Sequence, residues 1–280
     1  MRHLATTLVP GMISLAVGSA MWWAIPAPAL AQDAGAILQT ALERYEQRVQ
    51  GIDDYTVTVS LMGQEATTYL EKRMVEGHPV FLPADGEAGA ADGWNPWRLV
   101  PRLAERAEHV GTETVGGVEA HGIRVEDLEG LDLGTPAQLQ GEFRPRTLTL
   151  WIDAGQSLVR RMEVDGVMVT EGEKRPLTMT VTLEDYRTVE GMPHPWRTRI
   201  RAEGLMEAGG ASEEEMEEAR AQLAEFDRQM AEMSAEQRQM MQTMMGGKLD
   251  SLRRMIESGG LDMEVVVTDL RVNTGPPGNS

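Results

Sequence analysis

The chain predicts a mainly β, α+β fold: a strongly curved antiparallel sheet covered by helices, with a methionine-rich helical insertion before the last strand. Three observations carry this. About ten short segments alternate apolar and polar residues between Gly, Asp and Pro turn signals. Apolar residues at three- and four-residue spacing occur near the start, in the first third and before the last strand. Between residues 212 and 257, eight of the 19 methionines gather in a charged, amphipathic stretch. A meander of that many strands buries one face by bending, and the helices supply its cover.

Residues 1–31 read as a secretory signal peptide. Arg2 and His3 precede an apolar run over 8–25, and Ala29-Leu30-Ala31 offers small residues where signal peptidase cuts, leaving Gln32 first. The competing reading is an uncleaved anchor, since 4–25 nearly reaches spanning length. Pro10, Gly11, Gly18, Pro26 and Pro28 favour cleavage. No later stretch approaches that length, so no stable membrane insertion is expected after processing. With zero cysteines there is neither a disulfide framework nor thiolate chemistry. A net charge of −18 argues against nucleic acid and against electrostatic docking on anionic lipid.

From residue 32 a single domain is expected to run to 273. The first element is a helix over 36–50, with Ile37, Leu38, Ala41, Leu42, Tyr45 and Val49 on one face and Gly51 at its end. At Asp54 the period becomes two. Tyr55, Val57, Val59 and Leu61 alternate with polar neighbours, and Gly63 turns the chain into a partner strand over 66–74. Residues 83–93 read as a loop. Asn95 and Pro96 suit the N-cap and first position of a helix running to about His109, with Pro101 able to kink or shorten it. Gly116-Gly117 joins strands over 110–115 and 118–126. A loop over 127–145 precedes a strand over 146–152. Asp153-Ala154-Gly155 turns into 158–164, and Asp165-Gly166 reads as a further turn into 167–170. Met179, Val181 and Leu183 mark the next strand, Gly191 to Pro195 punctuate, and strands follow over 196–203 and 263–272. Residues 274–280 read as a frayed tail.

The insertion, 212–257, carries a stripe: Met216, Ala219, Leu223, Phe226, Met230, Met233, Gln237, Met240 and Met244 alternate steps of three and four. Methionines make an adaptable apolar face, suited to covering a greasy cavity or gripping variable partners. Ser212 with Glu215 forms a capping box at its start, and Ser234 with Gln237 a second one that marks a break. A coiled-coil seam is the competing reading, weakened by the polar Gln237 and by few β-branched residues.

The order of elements, with certain short motifs, resembles the periplasmic lipoprotein-carrier (LolA-like) group. These motifs are Ile52-Asp53-Asp54-Tyr55 at the entry to the sheet, Leu150-Trp151-Ile152-Asp153 followed by Leu158-Val159-Arg160-Arg161-Met162, and the final Val267-Thr268-Asp269-Leu270-Arg271-Val272-Asn273. The chain is similar as well to outer membrane lipoprotein-sorting proteins and RseB-like regulators of the same fold. The resemblance covers most of 36–273, with the insertion as a departure. It implies a half-open β-barrel in the periplasm whose concave apolar face holds the acyl chains of a lipid or lipoprotein. Val57, Val59, Leu61, Leu148, Leu150, Ile152, Met179, Val181, Leu183, Val265 and Val267 are the candidate cavity-facing residues, against the alternative of a filled core. Met216, Leu223, Phe226, Met230, Met233, Met240 and Met244 are the candidate lid. Trp94 and Trp97 either rim the ligand's mouth or staple the entry to their helix.

No pattern of chemistry stands out. His78, His109, His121 and His194 form neither H-x-H nor H-x-x-x-H pairs, so no metal is expected. Ser60 and Ser157 lack the hydrolase elbow, and no phosphate loop or dinucleotide fingerprint is present. Asp153, Glu163, Asp165, Glu184 and Asp185 fall where carboxylates shape turns. Arg160 and Arg161 face opposite ways, either toward a cavity mouth or into cross-strand pairs. The expectation is a binding protein without catalytic residues or cofactor, in the role of a carrier to the outer membrane. The alternative is an envelope sensor or assembly factor that grips a protein partner through the methionine-rich helices.

Overall fold

The computed structural model describes residues 33–61, 63–84, 95–126, 128, 142–170, 172–205, 213–241, 253 and 260–276. The expected leader, Trp94, Ser212, Met244 and most of the loop over 127–145 lie outside them. Helix α1, Ala34–Arg48, starts where Asp33 Oδ1 accepts from Gly35 N at 2.9 Å. Strands β1 (Asp54–Leu61), β2 (Gln64–Val75) and β3 (His78–Pro83) follow, then helix α2 (Pro96–Leu103). Next come β4 (Glu108–Val115), β5 (Val118–Val125), β6 (Glu142–Asp153), β7 (Val159–Thr170), β8 (Glu173–Val189) and β9 (Met192–Glu203). The inserted helix α3 (Glu213–Glu232) precedes the last strand, β10 (Leu261–Val272).

Among the described residues the ten strands form one antiparallel sheet in the order β3-β2-β1-β10-β9-β8-β7-β6-β5-β4. It is an open sheet whose edges are β3 and β4. The last strand inserts between the first strand and β9, so the first and last strands are neighbours, third and fourth from the β3 edge. Connecting β3 to β4 means passing from one edge to the other, and α2 lies on that path. It joins α1 in one core with the inner residues of β5 to β10.

Five expectations are corrected. Strand β3 was hidden by Pro79 and Pro83, which a central strand rejects. Here β3 is an edge, and both prolines belong to the ladder with β2, opposite Met74 and Leu70. Glu76 and Gly77, with φ of 53° and 89°, make the two-residue turn into it. Helix α2 ends at Leu103 and not near His109. Pro101 has no N–H to continue the ladder, and His109 belongs to β4. Strand β6 begins at Glu142, earlier than expected, because a bulge between Pro145 and Thr147 absorbs the proline. Asp165-Gly166 is no turn, since β7 runs straight through it. Gly166 is there for close approach: a Cβ would stand 2.6 Å from the Arg144 carbonyl oxygen and 2.7 Å from the Phe143 ring. Strand β9 starts at Met192. Its first residues pair with β8 alone, so Pro193 and Pro195 cost no bond to β10, which pairs only with Arg197 to Ala202.

Candidate functional site

The ladder registers collect the alternating apolar residues into rows across the inner face. Val125, Leu148, Val164, Met179, Ala202 and Leu261 stand opposite one another in succession. The next row is Ile123, Leu150, Met162, Val181, Ile200 and Met263. A third runs from Leu183 through Thr198 and Val265 to Leu61, with Val59 opposite Val267 beside it. The outer face is polar. There Thr178, Thr180 and Thr182 stand beside Arg201 and Arg199, which lie within 3.3 Å of Asp262 and 3.6 Å of Glu264.

Cover on the inner face is uneven. Leu148, Leu150, Ile152, Met179, Val181 and Val267 are buried in the core with Leu38, Ala41, Leu42 and Tyr45 of α1 and Leu99, Val100 and Leu103 of α2. Toward β9, β10 and β1 the covering thins. Leu183, Ile200, Leu261, Met263, Val265, Leu61, Val59 and Val57 are only half-buried. Nine of the eleven candidate residues thus lie in these rows, with Ile152 opposite Val159 and Val57 opposite Leu270 beyond them; six of the eleven are buried and five half-buried.

Both roots of the insertion sit at this thinly covered end. Leu205 packs against the core just past β9. Gly260 is buried against it, where a Cβ would fall 2.2 Å from the Ala202 carbonyl oxygen. Between them α3 presents Ala219, Leu223, Phe226, Met230 and Met233 as a half-buried stripe, while its other described side chains are exposed. No described α3 residue belongs to the core cluster or its margin. Met240 is 66 % exposed, and the Met216 side chain lies outside what is described. The second capping box forms as the spacing predicts: Gln237 N donates to Ser234 Oγ at 3.3 Å, and Ser234 N to Gln237 Oε1 at 3.2 Å. Arg238 folds back onto the carbonyls of Met230, Ala231 and Met233, closing the end of α3. Asp227 holds Arg253 at 2.6 Å. A shallow hollow of about 460 Å³ beside α3 is bordered by Glu218, Gln222, Glu225 and Gln229 with Ala221 and Phe226. It is a polar-flanked groove of one helix, apart from the sheet's rows.

Trp97 stacks on Tyr45 at 4.5 Å between ring centres, tying α2 to α1. Arg160 and Arg161 do face opposite ways. Arg160 pairs with buried Asp153, whereas Arg161 pairs with Glu113 at 2.9 Å and lies over Trp151. Asp165 accepts from the Thr178 hydroxyl at 2.7 Å, and Ser157 accepts from Arg44. Among the described residues no three His, Asp or Glu side chains gather around a metal position, and no helix is long and apolar enough to cross a membrane. The register does unite two histidines that sequence spacing kept apart, His109 and His121.

His194 packs edge-on to Tyr55, and its Nδ1 donates to the Pro195 carbonyl. Desolvation holds its imidazole below the ordinary 6.5, against the weaker upward pull of that carbonyl. The unfolded chain therefore binds a proton at His194 more readily than the folded one, and acidification through about pH 6.5 costs stability. Urea denaturation at pH 7.5 and pH 5.5 is expected to show a smaller loss on acidification in His194→Gln than in the parent. An equal loss in both would place the pH sensitivity elsewhere.

No protein-family model matches the chain, and no curated protein matches it. Solved structures similar to it include a domain described as outer membrane lipoprotein-sorting from Vibrio parahaemolyticus, at 14 % identity and TM-score 0.41, covering 88 % of this chain and 96 % of that one. A DUF1329 family protein from Desulfovibrio piger is similar at 10 % identity and TM-score 0.40, covering 87 % and 95 %. A LolA superfamily protein from Nitrosomonas europaea is similar at 10 % identity and TM-score 0.34, covering 85 % and 94 %.

Proposed function

We propose that this is an exported, periplasmic protein that holds the acyl chains of a lipid or lipoprotein against the inner face of its sheet, with α3 and its neighbours as the cover. One observation carries the reading: three rows, apolar but for Thr198, pass from mostly buried to mostly half-buried toward β9, β10 and β1, at the end where the insertion is rooted. Half-buried Leu61, Val265, Met263 and Ile200 offer hydrocarbon that α1 and α2 leave unfilled. Each methylene taken from water there contributes about 0.8 kcal/mol, so a chain burying ten of them gains about 8 kcal/mol before ordering costs. Such binding needs no charged anchor, which suits a chain of net charge −18. Release follows when a partner displaces the cover or offers a drier surface.

The half-buried stripe of α3 favours a second reading, an envelope sensor or assembly factor that binds a protein partner through those methionines. Excision separates the two. Leu261 pairs with Ala202, so β9 and β10 remain a hairpin when residues 206–259 are replaced by a short Gly/Ser linker. A fluorescent acyl probe is expected to leave that variant at least about tenfold faster than the parent. Unchanged release would remove the cover role and favour the partner-binding one.

A further inference from the structure

We propose that His109 and His121 form a two-imidazole site for a soft monovalent d10 cation of the copper(I) class, carried on the β4–β5 hairpin. The site arises from a slip in register. His109 stands opposite Ile123, but after the bulge at Val110 the pairing resumes with Gly111 opposite Gly122 and Thr112 opposite His121. The two rings become diagonal neighbours on adjacent strands, their centres 5.4 Å apart and their planes at 62°. His109 Nε2 and His121 Nδ1 are both buried without any hydrogen-bond partner. The other two described histidines are satisfied, His78 by Glu46 at 2.6 Å and His194 by the Pro195 carbonyl at 2.8 Å. Each orphaned nitrogen is destabilising unless something occupies it.

The donor set selects the ion. Tautomers with protons on His109 Nδ1 and His121 Nε2 leave a lone pair on each buried nitrogen, and edge-to-face rings with centres 5.4 Å apart need to turn about their side-chain bonds for both nitrogens to reach one ion at about 2 Å. No third His, Asp or Glu joins them among the described residues. Zinc would find only half of its tetrahedron and calcium or magnesium none of their oxygens. A d10 monovalent ion, content with two nitrogen donors, is matched. The site is separate from the acyl rows at β9, β10 and β1 and does not depend on them.

Silver(I) is the redox-inert probe, titrated into the exported chain at pH 7 and followed by calorimetry, with ring ¹⁵N shifts read by NMR. Copper(I) is then measured anaerobically by competition with a chromophoric chelator. The protein is expected to bind one tight equivalent that shifts both imidazoles, and either His109→Phe or His121→Phe is expected to weaken it at least about 100-fold. The methionines of the insertion are rival soft ligands, so the variant lacking residues 206–259 must keep that equivalent. Tight binding that survives both histidine substitutions, binding lost with the insertion instead, or unshifted ring nitrogens at saturating silver in the parent protein would each overturn the proposal. The parent NMR spectrum decides the matter even if a substituted hairpin folds poorly.

Discussion

An Asp153→Ala variant is expected to lose about 3–5 kcal/mol of unfolding free energy, the cost of leaving a buried charge without its partner. Asp153 is 5 % exposed and stands at the end of β6. Its Oδ2 accepts from Arg160 Nε and Nη2 at 3.1 and 2.6 Å, and its Oδ1 accepts from the backbone of Gly155 and Gln156, each at 2.8 Å. The Arg160 side chain is only 14 % exposed and lies 4.8 Å from the centre of the Tyr186 ring, whose hydroxyl donates to the Val159 carbonyl. Removing the carboxylate strands this guanidinium and two N–H groups together. It also loosens the turn on which α1 is fixed, where Arg44 donates to the Gly155 carbonyl at 2.7 Å and Arg48 to that of Gln156. Glu113→Ala breaks a pair of similar geometry at Arg161, but Glu113 is 44 % exposed and the loss should stay within about 1 kcal/mol.

The same site has a pH signature. Burial pushes the Asp153 carboxyl up, but the N–H donors of Gln156 and Gly155 and the Arg160 guanidinium outweigh it, so it lies below the ordinary 3.8. Its contribution is complete above about pH 4–5 and fades as pH falls through the folded-state value. Urea denaturation of parent, Asp153→Ala and Glu113→Ala at pH 7 and pH 3 measures this directly. A difference between Asp153→Ala and the parent that stayed constant between these pH values would contradict it.

Placing a carboxylate in the thinly covered rows has the second large effect, this time on binding. Ile200→Asp and Val265→Asp are each expected to weaken an acyl probe by about 100-fold or more, because the bound chain would strip water from an unpaired charge. Both positions are half-buried in the free protein, so the charge remains hydrated until the ligand arrives. Thr180→Asp is the matched control. It stands opposite Arg201 on the outer face, and its probe affinity should equal the parent's. Equal affinities across all three variants would mean that the acyl chain, if bound, lies elsewhere.

What the sequence made legible follows from how local each signal is. Tyr55, Val57, Val59 and Leu61, or Leu148, Leu150 and Ile152, reveal their shared face because alternation is a property of neighbours. The Ser234–Gln237 box is equally local and forms as read. Strand β3 and the first turn of β9 were obscured by prolines, which are acceptable only because those segments have one pairing partner, a fact of the assembled sheet. Gly166 looked like a turn residue when its real role is to admit Phe143 and the Arg144 carbonyl from the next strand. Missing β3 and dividing β7 in two offset each other, so a count of ten strands concealed both. His109 and His121 meet only through a bulge at Val110, which no spacing rule anticipates. The depth of burial was least legible of all. Eleven residues with one pattern divide into six that are enclosed and five that are not, because α1 and α2 reach only part of the sheet.

Native mass spectrometry of the protein, purified without detergent, puts the exposed hydrocarbon to its most direct test. The parent should carry an adduct of lipid mass that acyl-chain fragmentation identifies, and Ile200→Asp purified alongside it should run at its bare mass. A parent that arrives bare and takes up added acyl chains no better than Ile200→Asp would contradict the account.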